Sequence, residues 1–281
     1  MNTNLIATAW TSAGTTSPTQ IPPNSPVPIA ERLEAIAAAG FAGFGLIAED
    51  LAVVRDSIGF DGLRSLSTAH GFTHVEIELI ERWWIPRGHP GHTYDVRDLL
   101  FEAADALGPS FIKIGSENGP AFGDLGALAD PLGELADQAV AHGTRIAIET
   151  MPFSGIATVP MGVELIAATA HPGVGLLVDA WHVFRAGTSL DDLRATLPEG
   201  KVFGVELDDA APDVVGTLFA DTVDRRELCG EGSFDLAGLV EVLRDKGFDG
   251  PWGVEILSES FRRLPVAQAL RRAADTARKV L

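Results

Sequence analysis

The sequence predicts an α/β fold, a single (β/α)8 barrel of the TIM type, and three observations carry that prediction. Short apolar runs rich in Val and Ile alternate with longer Ala/Leu segments of helical spacing, which is the pattern of βα units. Eight such pairs fit within the 281 residues, matching the tally of this barrel. The first strand is followed by Trp10-Thr11-Ser12-Ala13-Gly14, not by the Gly-x-Gly-x-x-Gly turn that announces the alternative, a doubly wound open sheet.

In chain order, strand one falls at residues 4–10. It is followed by a Ser-, Thr- and Pro-rich stretch, 12–28, and a helix over 29–39 that stops at Gly40. Strand two, 43–48, precedes a helix over 51–70 and Gly71. Strand three, 73–80, is separated by a long connection, 81–94, from a helix over 96–107. Strand four, 111–116, and strand five, 145–150, flank a helix over 125–142 that stops at Gly143. A helix over 161–171, with Gly173 as its expected stop, leads to strand six at 175–181 and a helix over 190–197. Strand seven, 202–208, a long connection, 209–233, and a helix over 236–246 ending at Gly247 come next. Strand eight, 251–257, and a helix over 266–280 finish the series. Glycine at these stops suits the left-handed turn that ends a helix. The three long connections all follow strands, so they belong on the C-terminal face and should partly cover a pocket there. No sharp linker divides the chain, and one domain over residues 1–281 is expected.

Asp plus Glu number 39 against 21 Lys plus Arg, a formal charge of 21 − 39 = −18. Such a surface repels a phosphate backbone and an anionic bilayer, so neither nucleic acid nor membrane is an expected partner. Cys229 is the only cysteine, which excludes an intramolecular disulfide and a Cys-based zinc site. The first residues lack a basic leader segment, and no run reaches the roughly 18 to 20 apolar residues of a bilayer span. A soluble cytoplasmic protein is expected.

Functional side chains in a barrel project from the C-terminal ends of its strands. The last four strands each place a carboxylate there: Glu149 after Ile146-Ala147-Ile148, Asp179 after Leu176-Leu177-Val178, Glu206 after Phe203-Gly204-Val205, and Glu255 after Trp252-Gly253-Val254. One such residue is usually solvated or a helix cap. Four aimed into one mouth repel each other unless a cation sits among them, and hard oxygen ligands suit one divalent ion, Mn2+ or Mg2+, with Co2+ as a substitute. A cation chelating two neighbouring oxygens of a hydroxy-carbonyl compound stabilises the enediolate formed when the intervening carbon loses its proton. Glu149 and Glu255 are separated by two strands and could work from opposite sides of a substrate, one removing the proton and one returning it. His182, three residues past Asp179, could bind a substrate oxygen, act as base, or cap the following helix.

These residues resemble the xylose isomerase-like TIM-barrel superfamily of sugar phosphate isomerases and epimerases. The likeness is strongest in Ile148-Glu149-Thr150, Val178-Asp179-Ala180-Trp181-His182, Gly204-Val205-Glu206-Leu207-Asp208-Asp209, Gly230-Glu231-Gly232-Ser233-Phe234-Asp235 and Gly253-Val254-Glu255. It implies Glu149, Asp179, Glu206 and Glu255 as metal ligands, His182 as a substrate-contacting catalytic residue, and Arg225 or Arg226 as a substrate-binding arginine. The third ligand position is usually His in the epimerases, and Glu206 replaces it here. A further carboxylate raises the demand for a cation and disfavours a phosphorylated substrate. Relatives often form dimers or tetramers, but no apolar stripe in this sequence demands a homo-oligomer.

Other candidates are weaker. Alternation along strand three puts Glu76 and Glu78 on the side of His74; if that side is the interior both are pocket residues, with Glu76 a candidate substrate contact. Trp181, like Trp83 and Trp84, could stack on a substrate or simply pack. Lys113 and Glu117 could contact substrate or pair with each other, and His89 and His92 are loop residues. The expected activity is therefore a divalent-metal-dependent isomerisation or epimerisation of a small sugar or keto-polyol in carbohydrate metabolism. A lyase on the same scaffold, dehydrating a cyclic keto-polyol as dehydroshikimate dehydratases do, is the alternative. The abasic-site endonucleases share the barrel architecture, but the 7 histidines and the charge of −18 oppose DNA repair. A non-catalytic barrel remains open on fold alone.

Overall fold

The computed structural model describes residues 2–281. Its strands in chain order are β1 (Leu5–Ala7), β2 (Gly43–Ile47), β3 (His74–Ile80), β4 (Ile112–Ile114), β5 (Ile146–Glu149), β6 (Val174–Asp179), β7 (Val202–Leu207), β8 (Asp209–Ala210), β9 (Arg226–Glu227) and β10 (Trp252–Val254). Eight of them close into a barrel in the order β1-β10-β7-β6-β5-β4-β3-β2, and every neighbouring pair is parallel. This is the (β/α)8 barrel that the alternation of apolar runs predicts.

The core between strands and helices follows helical spacing. Leu33 and Ile36 from helix Ile29–Ala38, Leu132, Leu135, Ala136 and Ala139 from helix Ala129–Ala141, and Leu270, Ala273, Ala274 and Ala277 from helix Val266–Ala277 are all buried. Inside the barrel, alternation explains a second feature. The residue two before each carboxylate also points inward, and it is small or apolar: Ala147 before Glu149, Leu177 before Asp179, Gly204 before Glu206, Gly253 before Glu255. Phe111, Ala147 and Leu177 form a buried cluster separate from the main core. The interior thus has an apolar lower layer and a charged upper one.

Several boundaries differ from the sequence reading. The helix expected over 51–70 is two helices, Ala48–Ser57 and Gly59–Ala69, because Gly59 between them takes a left-handed φ of 69°, a conformation cheap only for glycine. Gly40, Gly71, Gly143 and Gly247 are left-handed as expected, but Gly173 is not. Ala170, at φ 50°, ends that helix, and the Gly173 N–H donates to His171 Nδ1 at 3.0 Å. Strand one stops at Ala7 and a helical turn, Ala9–Ser12, follows.

The connection after β7 has structure of its own. β8 and β9 pair antiparallel, with Ala210 opposite Arg226, around a helix at Leu218–Asp224. Asp209 pins this excursion by accepting the N–H groups of Gly230 (3.0 Å) and Phe234 (2.9 Å). Asp235 caps the next helix through the N–H of Gly238. Among the described residues, no helix is long and apolar enough to cross a membrane.

Candidate active site

The charged upper layer forms the floor of a cavity of about 400 Å3. The three long connections supply much of its wall: Pro18 and Pro23 after β1, Glu81 and Thr93 after β3, joined by Val96 of the next helix, and Phe219, Thr222 and Val223 after β7. Glu78, Lys113, Glu149, His182, Arg226 and Glu255 line it from the strand ends and the hairpin. All six are buried.

Two cations organise the floor. The Lys113 Nζ lies 2.6 Å from Glu78 Oε2, 2.7 Å from Glu206 Oε1, 3.6 Å from Glu255 Oε1 and 3.8 Å from Glu149 Oε2. From the other side, Arg226 Nη1 lies 2.6 Å from Asp179 Oδ2 and 3.2 Å from Glu255 Oε2, and it also donates to Asp208 Oδ2. The remaining guanidinium nitrogens of Arg226 donate to Thr222, with Nη2 2.9 Å from Oγ1. Asp179 caps the short helix Ala180–Arg185, accepting the His182 N–H at 2.8 Å. That turn brings His182 Nε2 to 3.4 Å from Glu149 Oε1.

The electrostatics follow from burial against these two charges. Burial opposes ionisation of Lys113, but Glu149, Glu206, Glu255 and Glu78 outweigh it and hold the ammonium well above its ordinary pKa. Burial also raises Glu149, yet Lys113, His182 and Arg226 together bring it down to about 2. Glu206 and Asp208 go the other way. Burial, with Glu255 beside Glu206 and Asp179 beside Asp208, pushes both well above the usual carboxylate range. Burial lifts Glu78 to about 7 and Glu76 to about 8 despite the nearby ammonium.

Could these residues hold a divalent ion? Glu149, Asp179, Glu206 and Glu255 each offer an oxygen, and the four oxygens lie within 4.8 Å of one another. Two buried oxygens of this set, Glu206 Oε2 and Glu255 Oε1, have no hydrogen-bond partner. Orphaned carboxylate oxygens are costly without a cation, and an all-oxygen donor set suits a hard one. The residues fit the ion.

The structure brings together Glu149, Asp179, His182, Glu206, Glu255 and Arg226 of the residues singled out from sequence. Three others fall outside the cavity. Arg225 is exposed and bridges to Ser258, because neighbouring residues of a strand point to opposite sides and Arg226 takes the inward one. Trp181 is fully buried behind the floor, its Nε1–H donating to Asp221 at 3.1 Å, so it packs rather than stacks on a ligand. Glu76 lies a layer below the floor, where Glu78 takes the lining place. Lys113 does not pair with Glu117, which binds Arg82 at 2.8 Å. Sequence reasoning placed Glu78 in the pocket if β3 faces inward, but missed Asp208 and the pairing of Lys113 with the strand-end carboxylates. The signal for Lys113 was its position between Ile112 and Ile114, where a strand flanked by outward apolar residues must turn the lysine inward.

The fold agrees with comparison to known proteins. The family model of the xylose isomerase-like TIM barrel matches residues 33–280. The chain belongs to that family. A 3-dehydroshikimate dehydratase of Pseudomonas aeruginosa strain PAO1 is 30% identical over 248 residues, which is 84% of this chain and 37% of the relative. An inosose isomerase of Halalkalibacterium halodurans is 28% identical over 152 residues, 53% of this chain and 52% of the relative. The chain thus spans about two-fifths to one-half the length of these relatives. Among solved structures, the IolI protein with a bound zinc atom superposes with a TM-score of 0.81 at 20% identity, covering 99% of this chain and 97% of the other. The relatives are enzymes, and the reactions in their names are dehydration and isomerisation.

Proposed function

We propose that the chain isomerises or epimerises a small, uncharged keto-polyol by moving a proton on the carbon next to the carbonyl. The observation that carries this reading is the charge of the cavity. Among the described residues, the only Lys or Arg side chains lining it are Lys113 and Arg226, and both are committed to buried carboxylates. Glu49 and Glu81 add further negative charge to the walls. The protein side chains of this pocket thus leave no free cation to bind a phosphate or a carboxylate.

Lys113, His182 and Arg226 hold Glu149 in the carboxylate form that a proton acceptor must have. Glu255 lines the floor three places around the barrel, with β6 and β7 between, and in its protonated form gives a proton to the carbon from its own side, leaving Glu149 protonated. His182, held by the Asp179 turn, is within reach of Glu149 and of a substrate oxygen in the cavity. Arg226 holds Asp179 and Glu255 in place. Glu149, Asp179, Glu206 and Glu255 would hold a divalent ion, which would supply Lewis-acid polarisation of the carbonyl. The three loops restrict water at the reacting carbon.

The second reading is dehydration, supported by the dehydroshikimate dehydratase match over 84% of the chain. The two share the proton-accepting step and part afterwards, when a β-hydroxyl either leaves or stays. Incubation in D2O with neutral inososes and ketoses, followed by mass spectrometry, separates them. The proposal expects solvent deuterium on carbon in an otherwise unchanged mass, with 3-dehydroshikimate untouched. A product one water lighter, with the ultraviolet band of a conjugated ring, from 3-dehydroshikimate alone contradicts it.

A further inference from the structure

The Lys113 ammonium stands among the carboxylates to which the ion has been assigned. It is within 4 Å of three of the four proposed ligands, Glu149, Glu206 and Glu255, and it also binds Glu78. Nothing about the strand forces a cation there. β4 is a three-residue strand, and Lys113 is in register with Ala147, one step below the level of Glu149. Its side chain therefore rises through the apolar layer to deliver one positive charge to the centre of the floor.

Two physical consequences follow. A buried cluster of carboxylates without counter-charge is strongly destabilising, and the ammonium supplies that charge whether or not an ion is bound. The same charge repels a divalent cation entering the cluster, with an interaction that is large at these separations because the surroundings are of low polarity. It also occupies Glu206 Oε1 with a hydrogen bond, leaving Oε2 as the oxygen free to coordinate.

We propose that Lys113 is a built-in counter-ion that lets the metal-free protein keep its carboxylates buried and holds the affinity of the site for its divalent ion low. The ion is then an exchangeable partner of the site rather than a structural requirement of the fold. Lys113 acts through the ligands and is a positioning residue. The inference rests on the reading of Glu149, Asp179, Glu206 and Glu255 as ligands.

The test uses the full chain, Mn2+ as the probe, and four proteins: wild type, Lys113→Met, Glu206→Gln, and the Lys113→Met, Glu206→Gln double variant. Calorimetric Mn2+ binding and thermal unfolding in EDTA or Mn2+ are measured on each. The melting temperature of the wild type should be the same in EDTA as in buffer without chelator. Lys113→Met should bind Mn2+ at least about tenfold more tightly than wild type, and its melting temperature should fall in EDTA and recover in Mn2+. If Lys113→Met does not fold, the double variant against Glu206→Gln decides. One carboxylate leaves together with the ammonium there, and removing Lys113 should again tighten Mn2+ binding. Mn2+ binding that is no tighter in Lys113→Met than in wild type, or no tighter in the double variant than in Glu206→Gln, overturns the inference and leaves the ligand assignment standing. An absence of Mn2+ binding in all four proteins overturns both.

Discussion

Arg226 shows how much one residue carries. Its guanidinium meets Asp179, Asp208 and Glu255, and Thr222 holds its other nitrogens. Removing it leaves three buried carboxylates facing one another. Arg226→Met should destabilise the protein by about 3–5 kcal/mol, whereas exposed Arg225→Met should stay within about 0.5 kcal/mol of wild type. Chemical denaturation of the two variants makes the comparison, and equal losses contradict the assignment. The sequence left these neighbours undivided, because the short β8–β9 pairing that turns one inward has no apolar alternation to announce it. Lys113 was obscured for a related reason. A lysine in an apolar run invites pairing with the nearest charge along the chain, and its partners lie on four other strand ends, visible only after the barrel closes.

At the scale of the element, β3 is the instructive strand. Its alternation was legible, and Glu76 and Glu78 do point into the barrel, but only their depth decides what each does. Glu78 reaches the floor and Lys113. Glu76 lies beneath, with Oε2 unpartnered, a setting that favours a neutral carboxyl. Its pKa of about 8 is above the ordinary 4.5, so the folded protein binds more protons than the unfolded chain between those values. Stability should therefore be highest below about pH 4.5 as far as Glu76 is concerned and fall as pH rises towards 8. Glu78, raised to about 7, adds to the same slope, while Glu149, lowered to about 2, titrates below this window. Unfolding by urea in EDTA between pH 5 and 8 should show this decline, and Glu76→Gln should flatten it. An unchanged slope in the variant would place its titration elsewhere. The other elements were legible to the extent that apolar spacing determines them. All eight barrel strands lie where the Val/Ile runs predict, and Glu149, Asp179, Glu206 and Glu255 stand at the ends of four of those runs. The break at Gly59 and the Ala170 terminus were not, because local turn geometry overrides helical spacing there.

For the whole molecule, the parts form one scheme. The barrel places an apolar layer under a charged floor, the three long connections wall it, and two internal cations offset part of the buried negative charge. The chain carries a net charge of −18, and its cavity is anionic too, so the surface field and the pocket both select against anionic ligands. The proposed proton transfer requires that the four strand-end carboxylates together bind a divalent ion. Equilibrium dialysis of the wild type and of the Glu149→Gln, Asp179→Asn double variant against Mn2+, followed by elemental analysis, tests it most directly. About one Mn2+ per wild-type chain is expected at saturation, and none above background in the double variant. A wild-type chain that takes up no Mn2+, Mg2+ or Co2+ at any concentration in the dialysis contradicts it.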